Sequence, residues 1–167
     1  MARKTPLDIH SKGEYPADAL SNFFGYDFVF DETQCASMEG FLQSLKVSDR
    51  DLQIKICSLK GKAAKEAGLE YDWRESQILY WREREYHRHS CEYQELITRA
   101  YDAMFKNSDY QKGLADSRVY ELDHSIGLNN PNETILTTNE FLGQIKRLQL
   151  RLSTNAMSAR ACSDEGA

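Results

Sequence analysis

Ser37-Met38-Glu39-Gly40-Phe41-Leu42-Gln43-Ser44-Leu45-Lys46 is the stretch that orders the reading of this 167-residue chain. Each residue of a helix turns about 100°, which brings Glu39, Gln43 and Lys46 within an arc of about 60°. Met38, Phe41, Leu42 and Leu45 occupy a neighbouring arc. The pattern predicts a helix over 36–47, with Ser37 placed to cap its first turn. A carboxylate, an amide and an amine then stack beside an apolar wall. The ordinary reading of such a trio is a solvated face carrying weak side-chain pairs. Gly40 asks for more, because glycine inside a helix costs roughly 1 kcal/mol. It fits best where something approaches the backbone closely.

On the N-terminal side, residues 8–34 read as extended. Pro16 and Gly25 punctuate short aromatic and β-branched runs, Phe23-Phe24 and Phe28-Val29-Phe30, which predict two short strands. Asp31-Glu32-Thr33 reads as a turn into the helix. On the C-terminal side, Asp49 opens a helix running towards Leu59. The Ala- and Lys-rich 61–67 segment makes another, with Gly68 as its C-terminal cap. Residues 74–107 hold neither Gly nor Pro, and one helix of that length is improbable in a compact domain. Two helices are expected, broken near 86–91. The second carries Leu96, Ile97, Ala100, Tyr101, Met104 and Phe105 along one face. Arg118-Val119-Tyr120 is strand-like, a Gly- and Asn-rich loop follows, and 138–152 return to helix with Phe141, Leu142, Ile145, Leu148 and Leu152 as its stripe. The expected fold is α+β: one mostly helical domain over 1–152, with a small sheet from the N-terminal third. A disordered tail is expected over 153–167.

Composition narrows the partners. The net charge of −5 argues against broad electrostatic binding to nucleic acid, while leaving room for a local basic pocket. No apolar run approaches the roughly 20 residues of a membrane span, and the first residues lack a signal-peptide core. Cys35, Cys57, Cys91 and Cys162 show no C-x-x-C spacing. A reduced cytoplasmic protein is expected, with no structural zinc and no obligatory protein partner. His87-Arg88-His89 with Cys91 and Glu92 invites a metal. However, H-x-H suits a strand, and this region reads as helix, where ligands recur at i, i+4. Arg82, Arg84, His87 and Arg88 interleave with Glu83 and Glu85, the pattern of a solvated charged face. No dinucleotide fingerprint, P-loop or nucleophile elbow is present, so no cofactor is expected.

Several segments together resemble the NADAR (NAD- and ADP-ribose-associated) family. Asn22-Phe23-Phe24, then Phe28-Val29-Phe30-Asp31, then Ser37-x-Glu39-x-x-x-Gln43-x-x-Lys46 looks like its opening signature. Lys62-Ala63-Ala64-Lys65-Glu66-Ala67-Gly68 resembles its A-K-x-x-G segment, and Asp72-Trp73 its D-W site. Tyr101 to Asn107 and Asn139 to Gly143 resemble its later helices, so the likeness spans residues 20–152. Asp123-His124-Ser125-Ile126-Gly127 matches a D-x-x-W-G segment, with Ile126 where the family has Trp. Gly40-Phe41 stands where a His-Tyr pair is common, and 82–95 is extra chain.

The resemblance implies a hydrolase that cleaves an N-glycosidic bond to ribose. Expected substrates are ADP-ribosylated guanine, including guanine in single-stranded DNA, or a ribosylated pyrimidine intermediate. Such a reaction places positive charge on the sugar, which a carboxylate stabilises, and it needs an acid for the leaving nitrogen. Glu39 matches that group. Lys46 matches an amine that attacks the opened ribose, and burial would lower its pKa towards that task. Gln43 would orient both. Asn22, Phe23, Phe24 and Trp73 would hold the base and sugar, Asp123 and Gly127 the ribose hydroxyls. Trp73 is by ordinary statistics a core residue. Other readings are a non-catalytic binder of ADP-ribose or NAD, and an interaction protein that keeps only the fold.

Overall fold

Short polar residues start the helices, and their side chains show it. A computed structural model describes residues 2–164. In it Ser37 accepts from the Gly40 N–H at 3.0 Å and opens α1 (Met38–Ser44). Asp49 accepts from Leu52 at 2.8 Å and opens α2 (Arg50–Cys57). Helix α3 (Gly61–Leu69) follows without a side-chain cap. Ser90 caps α4 (Cys91–Met104) and Asn107 caps α5 (Ser108–Asp116). Each such bond satisfies a donor that helix geometry leaves orphaned. The last helix, α6 (Thr138–Asp164), turns Phe141, Ile145 and Leu148 into the core.

Among the described residues the strands form three two-stranded ribbons. Thr5–Asp8 (β1) runs parallel to Tyr120–Asp123 (β6), Leu7 facing Leu122, and so ties the two ends of the domain together. Phe28–Phe30 (β2) pairs antiparallel with Thr33–Cys35 (β3) across Asp31-Glu32, both of which take positive φ. Ile78–Trp81 (β4) pairs antiparallel with Arg84–His87 (β5). The α+β class holds. Phe28–Phe30 is the strand expected there, whereas Phe23-Phe24 lies in a turn, with the Phe24 N–H bonded to the Ser21 carbonyl at 3.0 Å. Thr33 starts a strand rather than ending a turn.

The region 74–107 departs furthest from expectation. Its first half is the β4–β5 hairpin, not a helix. Leu79, Trp81 and Tyr86 are buried with period two, while their neighbours are exposed or half-buried. The turn is Arg82-Glu83, with Arg82 at φ 57°, a conformation usually signalled by Gly or Asn and here taken by an arginine. Trp81 stacks on Phe30 at 5.4 Å and meets the edge of Phe41 at 5.0 Å, so the hairpin closes the core over α1. His87 ends β5 and His89 lies in the turn that follows, where its N–H donates to His87 Nδ1 and the ring centroids are 5.6 Å apart. His89 Nε2 pairs with Asn132 at 2.7 Å.

Arg88 corrects the expectation of a solvated charged face. It is 1% exposed and forks onto Glu140 at 2.5 and 3.1 Å. Its Nε donates to the Thr134 carbonyl at 2.9 Å, and its guanidinium lies over Tyr93. Helix α6 continues through Asp164, so 153–164 have helical backbone where an irregular tail was expected. Its side chains over 154–160 are exposed. Residues 165–167 of that tail lie outside the described residues. Among the described residues no helix is long and apolar enough to cross a membrane.

Candidate functional site

Helix α1 is short and pressed from behind. A side chain at Gly40 would put its Cβ 2.5 Å from the Leu59 carbonyl and 2.9 Å from that of Ile56. The close approach that the glycine asks for is therefore made by the end of α2. Ser37 adds a bond from its hydroxyl to the Leu59 carbonyl at 2.9 Å. From the other side α3 leans on Gln43, where a Cβ at Gly68 would fall 1.9 Å from Gln43 Oε1. Gly68 is thus inside α3, not a cap, and its missing side chain makes room for the amide. These contacts fix Glu39 and Gln43 on the one face of α1 that looks into open space.

That space is a cavity of about 480 Å³, well within the range of small-molecule sites. Glu39 and Gln43 form part of its wall, and Gln43 Nε2 donates to Glu39 Oε1 at 2.8 Å. Asn22 and Phe23 join them. Asn22 is oriented by Tyr101, whose hydroxyl donates to Asn22 Oδ1 at 2.8 Å, and its carbonyl receives the Glu39 N–H at 3.0 Å. Lys65 of α3 and Arg74 of the following turn supply positive charge. The opposite wall is the β6–α6 connection, with His124, Ile126, Gly127, Leu128 and residues 133–136, backed by Phe141.

The electrostatics follow from this packing. Burial pushes the Glu39 carboxyl above the usual carboxylate range, against the opposing pull of the Gln43 hydrogen bond and of Lys46 and Lys65. Burial also holds the Lys46 amine below its ordinary value, with Glu39 opposing and Arg74 and Lys65 assisting. The two groups move towards each other, as an acid and an amine sharing a poorly hydrated region should. Gln43 Oε1 is buried and has no hydrogen-bond partner among the described residues. A half-turn of the amide exchanges its donor and acceptor, so Gln43 serves Glu39 in either protonation state.

Of the nine residues singled out in the sequence, five line this cavity: Asn22, Phe23, Glu39, Gln43 and Gly127. Lys46 lines a second hollow of about 360 Å³ instead, where its amine lies 3.5 Å from the Gly68 carbonyl. The remaining three lie outside this cavity. Trp73 is 2% exposed, a core residue at the edge of that second hollow, and its neighbour Arg74 is the one that reaches the cavity. Phe24 is 42% exposed and packs on Tyr26 at 4.6 Å, because adjacent side chains of a turn diverge. Asp123 ends β6 on its outer face, with Leu122 taking the inner one, and its carboxylate caps the His124 N–H at 2.7 Å.

Sequence reading passed over Lys65, Arg74 and His124. A signal for Lys65 existed: it stands three residues before Gly68 and so shares the helical face that meets Gln43. His124 stands next to Asp123 within the 123–127 segment that carries the family resemblance. Among the described residues no three His, Cys, Asp or Glu side chains gather as metal ligands would.

Comparison with known proteins adds three findings. The family model described as bacteriophage protein GP30.3 matches residues 14–151. A protein described as an uncharacterized 17.1 kDa protein in the Gp30-rIII intergenic region of Enterobacteria phage T4 is 37% identical over 147 residues, covering 86% of this chain and 96% of that protein. The NMR structure of YbiA from E. coli superposes with a TM-score of 0.59, over 94% of this chain and 90% of that one. Identity there is 13%, so the likeness is one of fold.

Proposed function

We propose that the chain, which belongs to the bacteriophage protein GP30.3 family, is a hydrolase cleaving an N-glycosidic bond to ribose. The observation that carries this reading is Glu39, a carboxyl raised by burial, in the wall of a cavity that also presents Lys65, Arg74 and apolar side chains. A carboxyl that keeps its proton nearer neutrality suits an acid that gives it to a departing ring nitrogen. As that proton leaves, the same oxygen becomes the anion that faces the positive ribosyl carbon. Lys65 and Arg74 match the phosphate of a nucleotide, Asn22 matches sugar hydroxyls, and Phe23, Ile126 and Leu128 match the faces of a base. The substrates that fit are ADP-ribosylated guanine in single-stranded DNA and ribosylated pyrimidine phosphates. Lys46 acts in this reading by biasing the charge of Glu39, and as an imine-forming amine only after leaving the Gly68 carbonyl.

That displacement of Lys46 favours one second reading, a binder of ADP-ribose or NAD without turnover. Mass spectrometry of the released base separates the two, with both substrates offered to wild type, Glu39→Gln and Lys46→Ala. Release by wild type that Glu39→Gln abolishes, with ligand binding retained, is the expected result. No release from either substrate, while ADP-ribose still raises the melting temperature, replaces the hydrolase by the binder.

A further inference from the structure

We propose that His124 is a catalytic residue of this site, the base whose Nε2 takes the proton of the water attacking the ribosyl carbon. The inference rests on the glycosidase reading and assigns its second proton-transfer group.

The imidazole is held at three points. Its Nδ1 lies 2.7 Å from the Ile9 carbonyl oxygen. A carbonyl only accepts, so Nδ1 carries the hydrogen, and in the neutral ring Nε2 is left as a lone pair. The ring packs against Phe141 in an edge-type contact, centroids 4.9 Å apart at 63°. Gly127 closes over its other edge, where a Cβ would stand 2.5 Å from Cδ2 and 3.1 Å from Nε2. The turn between them is anchored to β1, since the Ser125 N–H and hydroxyl both donate to Asp8. Nε2 has no hydrogen-bond partner among the described residues, and the residue lines the cavity that Glu39 lines. A ring so fixed, with its one basic nitrogen unspent, is preorganised to accept a proton.

The step balances. Water oxygen bonds to the anomeric carbon as the carbon–nitrogen bond breaks. The nitrogen keeps the bonding pair and takes the proton of Glu39, and the water's proton goes to His124 Nε2. Solvent then returns Glu39 and His124 to their starting states.

His124→Asn is the discriminating variant, because its amide N–H can still serve the Ile9 carbonyl while Nε2 is gone. With the substrate that wild type cleaves, kcat should fall ~10²–10⁴-fold at nearly unchanged KM and melting temperature. Free imidazole should restore part of the rate to His124→Ala, which a purely structural role does not allow. Wild-type turnover by His124→Asn overturns the assignment and leaves the glycosidase reading standing. Wild type that releases no base overturns that reading and the base role with it. In that event, or if the variants fail to fold, the ¹⁵N resonance of Nε2 in the wild-type chain, titrated with ADP-ribose, decides whether His124 touches ligand. A resonance that does not move while ADP-ribose binds overturns the contact.

Discussion

Glu39, in the cavity wall, and Glu140, next to the cavity-lining Phe141 on α6, are two partly or wholly buried carboxylates driven in opposite directions. Burial works to raise both. At Glu39 it prevails, because a single amide donates to the carboxyl and the nearby amines only act through space. At Glu140 burial is outweighed by the Arg88 fork, the Thr137 N–H and the Gln94 amide, and the carboxyl is held below its ordinary range. Two differences act in the same direction: Glu140 is less deeply buried than Glu39, and more donors are aimed at its charge. The saturated carboxylate fastens the β4–β5 hairpin and the Thr134 loop to α6. The undersaturated one is left available for chemistry. A stable protein has reason to complete the first and leave the second incomplete.

Four measurements test that contrast. Arg88→Ala strips the fork from Glu140 and should cost about 3–5 kcal/mol in a urea titration, because it strands a buried charge. A loss below about 1 kcal/mol would mean that the Thr137 N–H and the Gln94 amide keep the Glu140 charge satisfied without the fork. Gly40→Ala comes next. Its Cβ meets backbone carbonyls of α2 that cannot rotate away, and the cost should be roughly 1–3 kcal/mol. Glu39→Gln should go the other way, abolishing turnover while stabilising the fold by about 1 kcal/mol near neutrality. Gly68→Ala is the smallest. The atom in its way is the end of a flexible side chain, so stability should change by less than about 1 kcal/mol, while Gln43 swings off Glu39 and the pH dependence of activity shifts.

The pH dependence of stability carries the same opposition. Glu39 has a folded pKa above its unfolded one, so the folded state holds the extra proton. Its contribution is most favourable below the unfolded value and declines as pH rises through the folded value. Glu140 has a folded pKa below its unfolded one, so its stabilisation is present above the unfolded value and is lost as pH falls through the folded value. Unfolding curves of Glu39→Gln and Glu140→Gln, each compared with wild type across the acid range, should therefore diverge from it with opposite sign as pH rises. Parallel curves would remove the distinction between the two carboxyls.

Helices were readable from the chain wherever capping residue and apolar stripe agreed, as at Ser37, at Asp49 and along Phe141 to Leu148. None of the three ribbons was legible whole: β2 was expected, but its partner Thr33–Cys35 read as a turn into the helix, and the other two escaped for different reasons. Strand β1 pairs with residues more than a hundred positions away, and four residues carry no local trace of such a partner. The β4–β5 turn uses Arg82 and Glu83, so the usual hairpin signal is missing and a stretch with neither Gly nor Pro passed for helix. In the site, Glu39 with Gln43 was legible because helical spacing alone puts them on one face. Trp73 and Phe24 were misplaced because an aromatic residue carries no mark of whether it faces ligand or core.

The sequence by itself determined the α1 face, the class of fold and the presence of a lone carboxyl beside an apolar wall, all of which depend on spacing within one turn or two. Only the tertiary structure decided which groups share a cavity with that carboxyl. Lys65, Arg74 and His124 come to it from three other segments, and Lys46, only two turns along, is carried to a neighbouring hollow. The physical reason is that a pKa and a binding wall are set by what is near in space and by how much water is excluded. Both are fixed by packing between elements rather than by any element's own periodicity.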